Sequence, residues 1–190
     1  MPTIGRRDLV LFLIGLCPGT DRTDSELGGM TRLQKYLFLL EKEANLKPSG
    51  DGFGFEPYKA GPYSAKLYDD LEFLENIGLL ESESTGSATA PERAELEKLT
   101  FDDLMGESAE ESEDAFGERR FRLTPAGVER VRKLLAEGTL NPVADGVKKL
   151  KARYGGYSLS DLLYHVYTKY PEMAEESEIR DHVLKRGRGS

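Results

Sequence analysis

The stretch FGFEPYKAGPYSAKLYDDLEFLENIGLL, Phe53 to Leu80, decides the fold. The alternating aromatics of FGFEPY suit a short strand. Pro57 has no N–H to give to a ladder, which confines that strand to an edge. KAGPYS reads as a turn. From Ser64 to Ile77 the spacing predicts a helix with Leu67, Leu71 and Leu74 on one face, leaving Asp69, Asp70, Glu72 and Glu75 to the exposed surface. Gly78 stops the helix, and LLES begins a strand.

Upstream, Arg7 to Leu16 is nearly all apolar after Asp8 and reads as a buried helix. A loop dense in turn residues follows, Cys17 to Gly29. TRLQKYLFLLEKEAN is a second helix, with Leu33, Tyr36, Leu37, Leu40 and Ala44 at helical spacing. Phe38 and Leu39 lie off that stripe, so the helix is expected to be buried on more than one side. Thr31 and Gln34 have the spacing of a capping box.

Downstream, RRFRLT places Phe121 and Leu123 on one strand face and Arg120 and Arg122 on the other. Thr124 is placed to cap the next helix, with Pro125 at its first position. Its apolar stripe is Val128, Val131, Leu134 and Leu135, and it ends near Glu137. Two or three more helices are expected, one opened by Ser158 and Asp161 at capping-box-like spacing. The fold class expected is mainly α with a small β-hairpin (α+β), a winged helix-turn-helix over residues 7–137. A C-terminal helical extension occupies 138–184 and a basic tail 185–190.

The chain has 190 residues, a net charge of −8, 38% apolar and 32% charged residues. The apolar share is enough for a core. The charge is unevenly placed, with a balance of −3 over residues 1–80, −11 over 81–118 and +6 over 119–190. Residues 81–118 are sparse in apolar side chains and read as an acidic, mobile insertion, with an amphipathic helix around Arg93 to Met105 as one option within it. Its charge suits either folding back onto the basic C-terminal half, in competition with anionic partners, or serving as an inert solubilising loop.

No apolar run reaches the roughly 18 residues that span a bilayer, so no membrane partner is expected. The start, Met1 to Cys17, lacks the pattern of an export signal, and a cytoplasmic location is expected. One cysteine and two histidines argue against a disulfide and against a zinc site. The adjacent pairs Asp69-Asp70 and Asp102-Asp103 diverge by about 100° on a helix and make no acid/base couple. His165 lies within a helix, His182 lies near a chain end, and neither has a nucleophile at recognisable spacing. GDGFGF lacks the lysine and the strand-to-helix setting of a phosphate loop. The expectation is a non-enzymatic protein without cofactor or metal.

RLQKYLFLLEKE (Arg32 to Glu43), the Phe53 to Leu80 stretch and FRLTPAGVERV (Phe121 to Val131) resemble winged-helix proteins of the YwgA type. They are more distantly similar to the Panacea domain of SocA-type antitoxins. The shared features are Leu33-Gln34-Lys35 and Gly61-Pro62-Tyr63-Ser64. The resemblance implies a DNA-binding transcriptional regulator or an antitoxin-like module that restrains a partner protein.

In the regulator reading, double-stranded DNA is met by the start of the third helix, with Lys59, Tyr63, Ser64 and Lys66 at the groove. Arg119, Arg120 and Arg122 of the wing grip phosphates. Against it, four carboxylates follow the two lysines on that helix, and the wing tip is the acidic insertion. In the interaction reading the contact patch is Tyr58, Tyr63 and Tyr68, or alternatively the tyrosine-rich helix of Tyr164, Tyr167 and Tyr170 with Tyr170 as its exposed member, because tyrosine joins a large apolar ring to a polar tip. Tyr164 and Tyr167 are expected in core packing. By analogy with other winged-helix proteins, the C-terminal helices would pair two subunits in a homodimer.

Overall fold

A computed structural model describes residues 3–85 and 118–186. The candidate helix around Arg93 to Met105 lies outside the described residues. The chain is α+β and mostly helical.

Helix α1 (Arg6–Gly15) is buried from Leu9 through Gly15. A helix apolar all round belongs at the centre of a fold. Helix α2 (Met30–Glu43) is buried from Leu33 to Leu40, so Phe38 and Leu39 are both inside. Its start corrects one expectation. Gly29 is the N-cap, with no side-chain cap bond, and Thr31 is already within the helix. Gln34 is buried and accepts the backbone N–H of Ser64 at 2.8 Å instead of closing a capping box.

A two-stranded hairpin follows, β2 (Glu56–Tyr58) and β3 (Gly61–Tyr63), with Glu56 opposite Tyr63 and Tyr58 opposite Gly61. The segment expected as a turn therefore supplies the second strand as well. Gly61 has φ +84°, and a Cβ there would press into the Tyr167 ring. Helix α3 (Ala65–Asn76) buries Leu67, Leu71 and Leu74, as the stripe predicted.

Three strands make the other sheet: β1 (Glu26–Gly28), β4 (Leu80–Thr85) and β5 (Glu118–Leu123), antiparallel in the order β1-β5-β4. Leu80 faces Leu123, and Ser82 faces Phe121. The expected pairing of β4 with β5 is present, and β1 adds an edge strand where the sequence reads as loop, three residues being too few to show alternation. Glu81 to Thr85 and Glu118 belong to these strands, so the ends of the acidic stretch are ordered in the sheet.

Thr124 caps helix α4 (Pro125–Ala136) by accepting the Gly127 N–H at 3.1 Å. A Cβ on Gly127 would strike the Leu79 carbonyl, so glycine is what lets α4 lie against the turn before β4. Helix α5 (Asn141–Tyr154) packs on α1 and α2. The Lys151 ammonium on α5 is buried and donates to the Leu13, Ile14 and Leu16 carbonyls at 2.9, 3.3 and 2.7 Å. It thereby satisfies the last carbonyls of α1, which have no partner within the helix. Helix α6 (Leu159–Lys169) opens with the Ser158–Asp161 capping box, both bonds formed. A 3₁₀ turn (Pro171–Ala174) and α7 (Arg180–Arg186) complete the described chain. One buried cluster runs from Ile4 to Val183 through all of these layers.

Candidate functional site

The outer side of the β2–β3 hairpin and the start of α3 carry a row of tyrosines. The Tyr58 and Tyr63 rings lie 4.8 Å apart, and Tyr63 and Tyr68 lie 5.8 Å apart. The register explains the row. Tyr58 and Tyr63 close opposite ends of a three-residue ladder, and Tyr68 stands on the first turns of α3 directly after it. Tyr58 is 36% exposed and Tyr68 40%, while Tyr63 is half-buried between them. Burial pushes the Tyr63 and Tyr68 hydroxyls above the usual phenol range. They are neutral donors and acceptors at physiological pH.

Tyr170 does not join this row. Its ring meets Phe38 edge-on at 5.1 Å, at the boundary of the core. Tyr167 is buried and Tyr164 packs against the core, as expected for both.

Beneath the row, the two sequence features that carry the resemblance are bonded to each other. Gln34 takes the Ser64 N–H, and Lys35 Nζ donates to the Pro62 carbonyl at 2.9 Å. Ser64 Oγ donates to the Phe53 carbonyl at 2.6 Å. Among the described residues no carboxylate pairs with buried Lys35, and burial pushes its ammonium down to about 7. These contacts fix the hairpin to α2 and hold the tyrosines on a rigid base.

The residues expected to meet DNA fare differently. Ser64 is fully buried, which corrects its placement at a groove. Lys59 lies 3.4 Å from Glu178, and its carbonyl accepts the Glu178 N–H. Lys66 lies 4.0 Å from Asp51. Arg119 bonds Glu75 at 3.1 Å and the Ser82 hydroxyl at 2.7 Å. Arg120 meets Glu26 at 3.4 Å, and Arg122 meets Glu81 and Glu83, each at 2.7 Å. Surface pairs of this kind are individually weak, about 0–1 kcal/mol. Their effect on the local field is larger, since four carboxylates surround three guanidinium groups.

Asp70 is a further correction. It is fully buried, not exposed, and its carboxylate is held by Arg6 at 2.7 Å and Arg7 at 3.0 Å. The helical stripe put it at the margin of the apolar face, and its partners lie more than sixty residues earlier.

A second polar cluster escaped the sequence altogether. Glu43, at the end of α2, accepts from Lys169 Nζ at 2.7 Å and Tyr154 Oη at 2.6 Å, and lies 2.9 Å from His165 Nε2. Arg153 adds a contact at 3.4 Å. Burial pushes the carboxyl up, but the bonds from Lys169, Tyr154 and His165 outweigh that and hold it down near 2. Every donor comes from more than a hundred positions away, so no local spacing could have announced it. The cluster ties α2 to α5 and α6. Its carboxylate is saturated with donors, which suits a clamp rather than a proton carrier.

Among the described residues, no group of three or more histidine, cysteine, aspartate or glutamate side chains is arranged to hold a metal ion. No helix among them is long and apolar enough to cross a membrane. No family model, no curated protein and no solved structure matches the chain.

Proposed function

We propose that this chain is a protein-interaction module built on a winged-helix arrangement, and that it binds a partner protein through the Tyr58–Tyr63–Tyr68 row. The single observation that carries this reading is the row itself, three contiguous aromatic rings at the surface on a hydrogen-bonded base. Exposed aromatic clusters are enriched at protein interfaces, where a flat ring with a polar tip gives area at low entropic cost.

The winged-helix part rests on the order of elements and on the antiparallel β4–β5 pair that follows α3, with β1 from before α2 added at the far edge of β5. Two features favour a protein partner over DNA. A helix-turn-helix joins its helices by a turn of about 3–4 residues. Here residues 44–64 and a hairpin separate α2 from α3. The wing arginines are also engaged by glutamates, and duplex affinity comes largely from cations free to meet phosphates.

Titration of a labelled random duplex at 50 and 200 mM salt tests the reading. The native chain is expected to show no saturable binding, and a triple variant Glu75→Gln, Glu81→Gln, Glu83→Gln is expected to gain salt-dependent binding as Arg119 and Arg122 are released. Tight, steeply salt-dependent binding by the native chain would overturn the proposal in favour of a DNA-binding regulator.

A further inference from the structure

Between α1, α3 and α4 lies an open cavity of about 580 Å³. That is within the range of about 300–1,000 Å³ typical of small-molecule sites. Its floor is aliphatic, with Leu11 and Leu74 buried and Leu79 half-buried. Its rim carries Phe73, 39% exposed, and Ile77, 50% exposed. These two stand four residues apart on one flank of α3, away from the core stripe.

The polar side of the cavity is cationic. At the back, Asp70 is shared by two guanidinium groups, from Arg6 and Arg7, so the lining carries three arginines against the two carboxylates of Asp8 and Asp70. Arg7 gives only its Nε to Asp70. Its two terminal nitrogens have no hydrogen-bond partner among the described residues, and its carbon centre sits 3.5 Å above the Phe73 ring. The guanidinium is therefore held flat, with a free fork, next to apolar surface. Across the cavity, Arg130 is engaged with Asp8 through Nε and one terminal nitrogen, at 3.1 and 3.0 Å. Asp51 and Asp69 act on Arg6 and Glu137 on Arg130 from outside the lining.

We infer that this cavity binds a small organic anion, a carboxylate joined to a flat apolar body. The carboxylate accepts two parallel bonds from the terminal nitrogens of Arg7, the forked pairing for which arginine is suited. The body lies against Phe73, Ile77 and Leu79. An inorganic anion would leave those side chains wet, and an uncharged apolar ligand would leave the Arg7 fork unpaired. The first turn of α1 opens at the same lip, where Gly5 supplies no capping side chain. Asp8 in that first turn already answers the helix dipole, so the preference for negative charge rests on Arg7.

The site is tested on the full chain by following backbone amide resonances as 2-naphthoate, 2-naphthylmethanol or acetate is added. Naphthoate is expected to shift residues 5–11 and 73–79 saturably, and the alcohol and acetate to bind at least tenfold more weakly. Arg7→Gln, which leaves Arg6 on Asp70, and Ile77→Ser, at an exposed position, are each expected to weaken naphthoate at least tenfold with the melting temperature kept. Absence of saturable shifts at these residues, equal binding of the alcohol, or full affinity in either folded variant would overturn the assignment.

Discussion

Gln34 and Ser64, thirty residues apart, meet through a buried hydrogen bond in which the side-chain carbonyl of one accepts the backbone N–H of the other at 2.8 Å. The bond joins the middle of α2 to the N-cap of α3, directly after the hairpin that carries Tyr58 and Tyr63. Gln34→Leu removes the acceptor and leaves a buried N–H without a partner. A group stranded in this way costs about 1–3 kcal/mol. Urea unfolding of the variant is expected to show a loss of that size, with the slope of the transition unchanged.

Lys35 makes stability depend on pH in the alkaline direction. The folded chain releases its proton near 7, whereas an exposed lysine holds it to about 10.5. Between those values the unfolded chain binds more protons, so raising the pH favours the fold. The native chain is expected to gain stability from pH 7 to pH 10. Lys35→Met is expected to lose the part of that rise that begins near 7, leaving the later contribution of Lys151, which burial pushes down to about 8. Urea midpoints at pH 7 and 9.5 in the two proteins measure the difference, and parallel slopes would contradict it.

Glu43 acts at the acid end. Its folded carboxyl is held near 2, below the ordinary 4.5. Its contribution is therefore complete above about 4.5 and is lost as the pH falls toward 2. Glu43→Gln is expected to destabilise the chain at pH 7 by on the order of 1–3 kcal/mol, because Lys169, Tyr154 and His165 lose a charged acceptor. It is also expected to flatten the acid limb of the stability curve. Thermal melts at pH 3, 5 and 7 check both effects.

Much of the frame was legible in the sequence. Thr124 with Pro125, Ser158 with Asp161, and the Leu67–Leu71–Leu74 stripe act locally, and periodicity and capping report local physics. That β4 and β5 are neighbouring strands followed from two strand-like segments flanking one long insertion, while their register, Leu80 opposite Leu123, is given by the tertiary structure. What escaped was polar and long-range. Gln34 looked like a capping partner for Thr31 because three residues separate them; its bond to Ser64 depends on how the hairpin folds over α2. Asp70 looked exposed because it borders the stripe, and only the arrival of Arg6 and Arg7 allows it inside. Strand β1 has three residues, too few to show alternation. Of the candidate site, the tyrosines were named, but that Tyr58, Tyr63 and Tyr68 are contiguous while Tyr170 stands apart is a property of the tertiary structure.

The most direct test of the interaction account is quantitative capture from lysate of the native host, with and without nuclease treatment, comparing the immobilised native chain with a Tyr58→Ser, Tyr68→Ser variant of equal melting temperature. The account predicts a protein retained in stoichiometric amount by the native chain, insensitive to nuclease and reduced at least tenfold by the double substitution. Retention that disappears with nuclease, or that survives loss of both tyrosines, would contradict it.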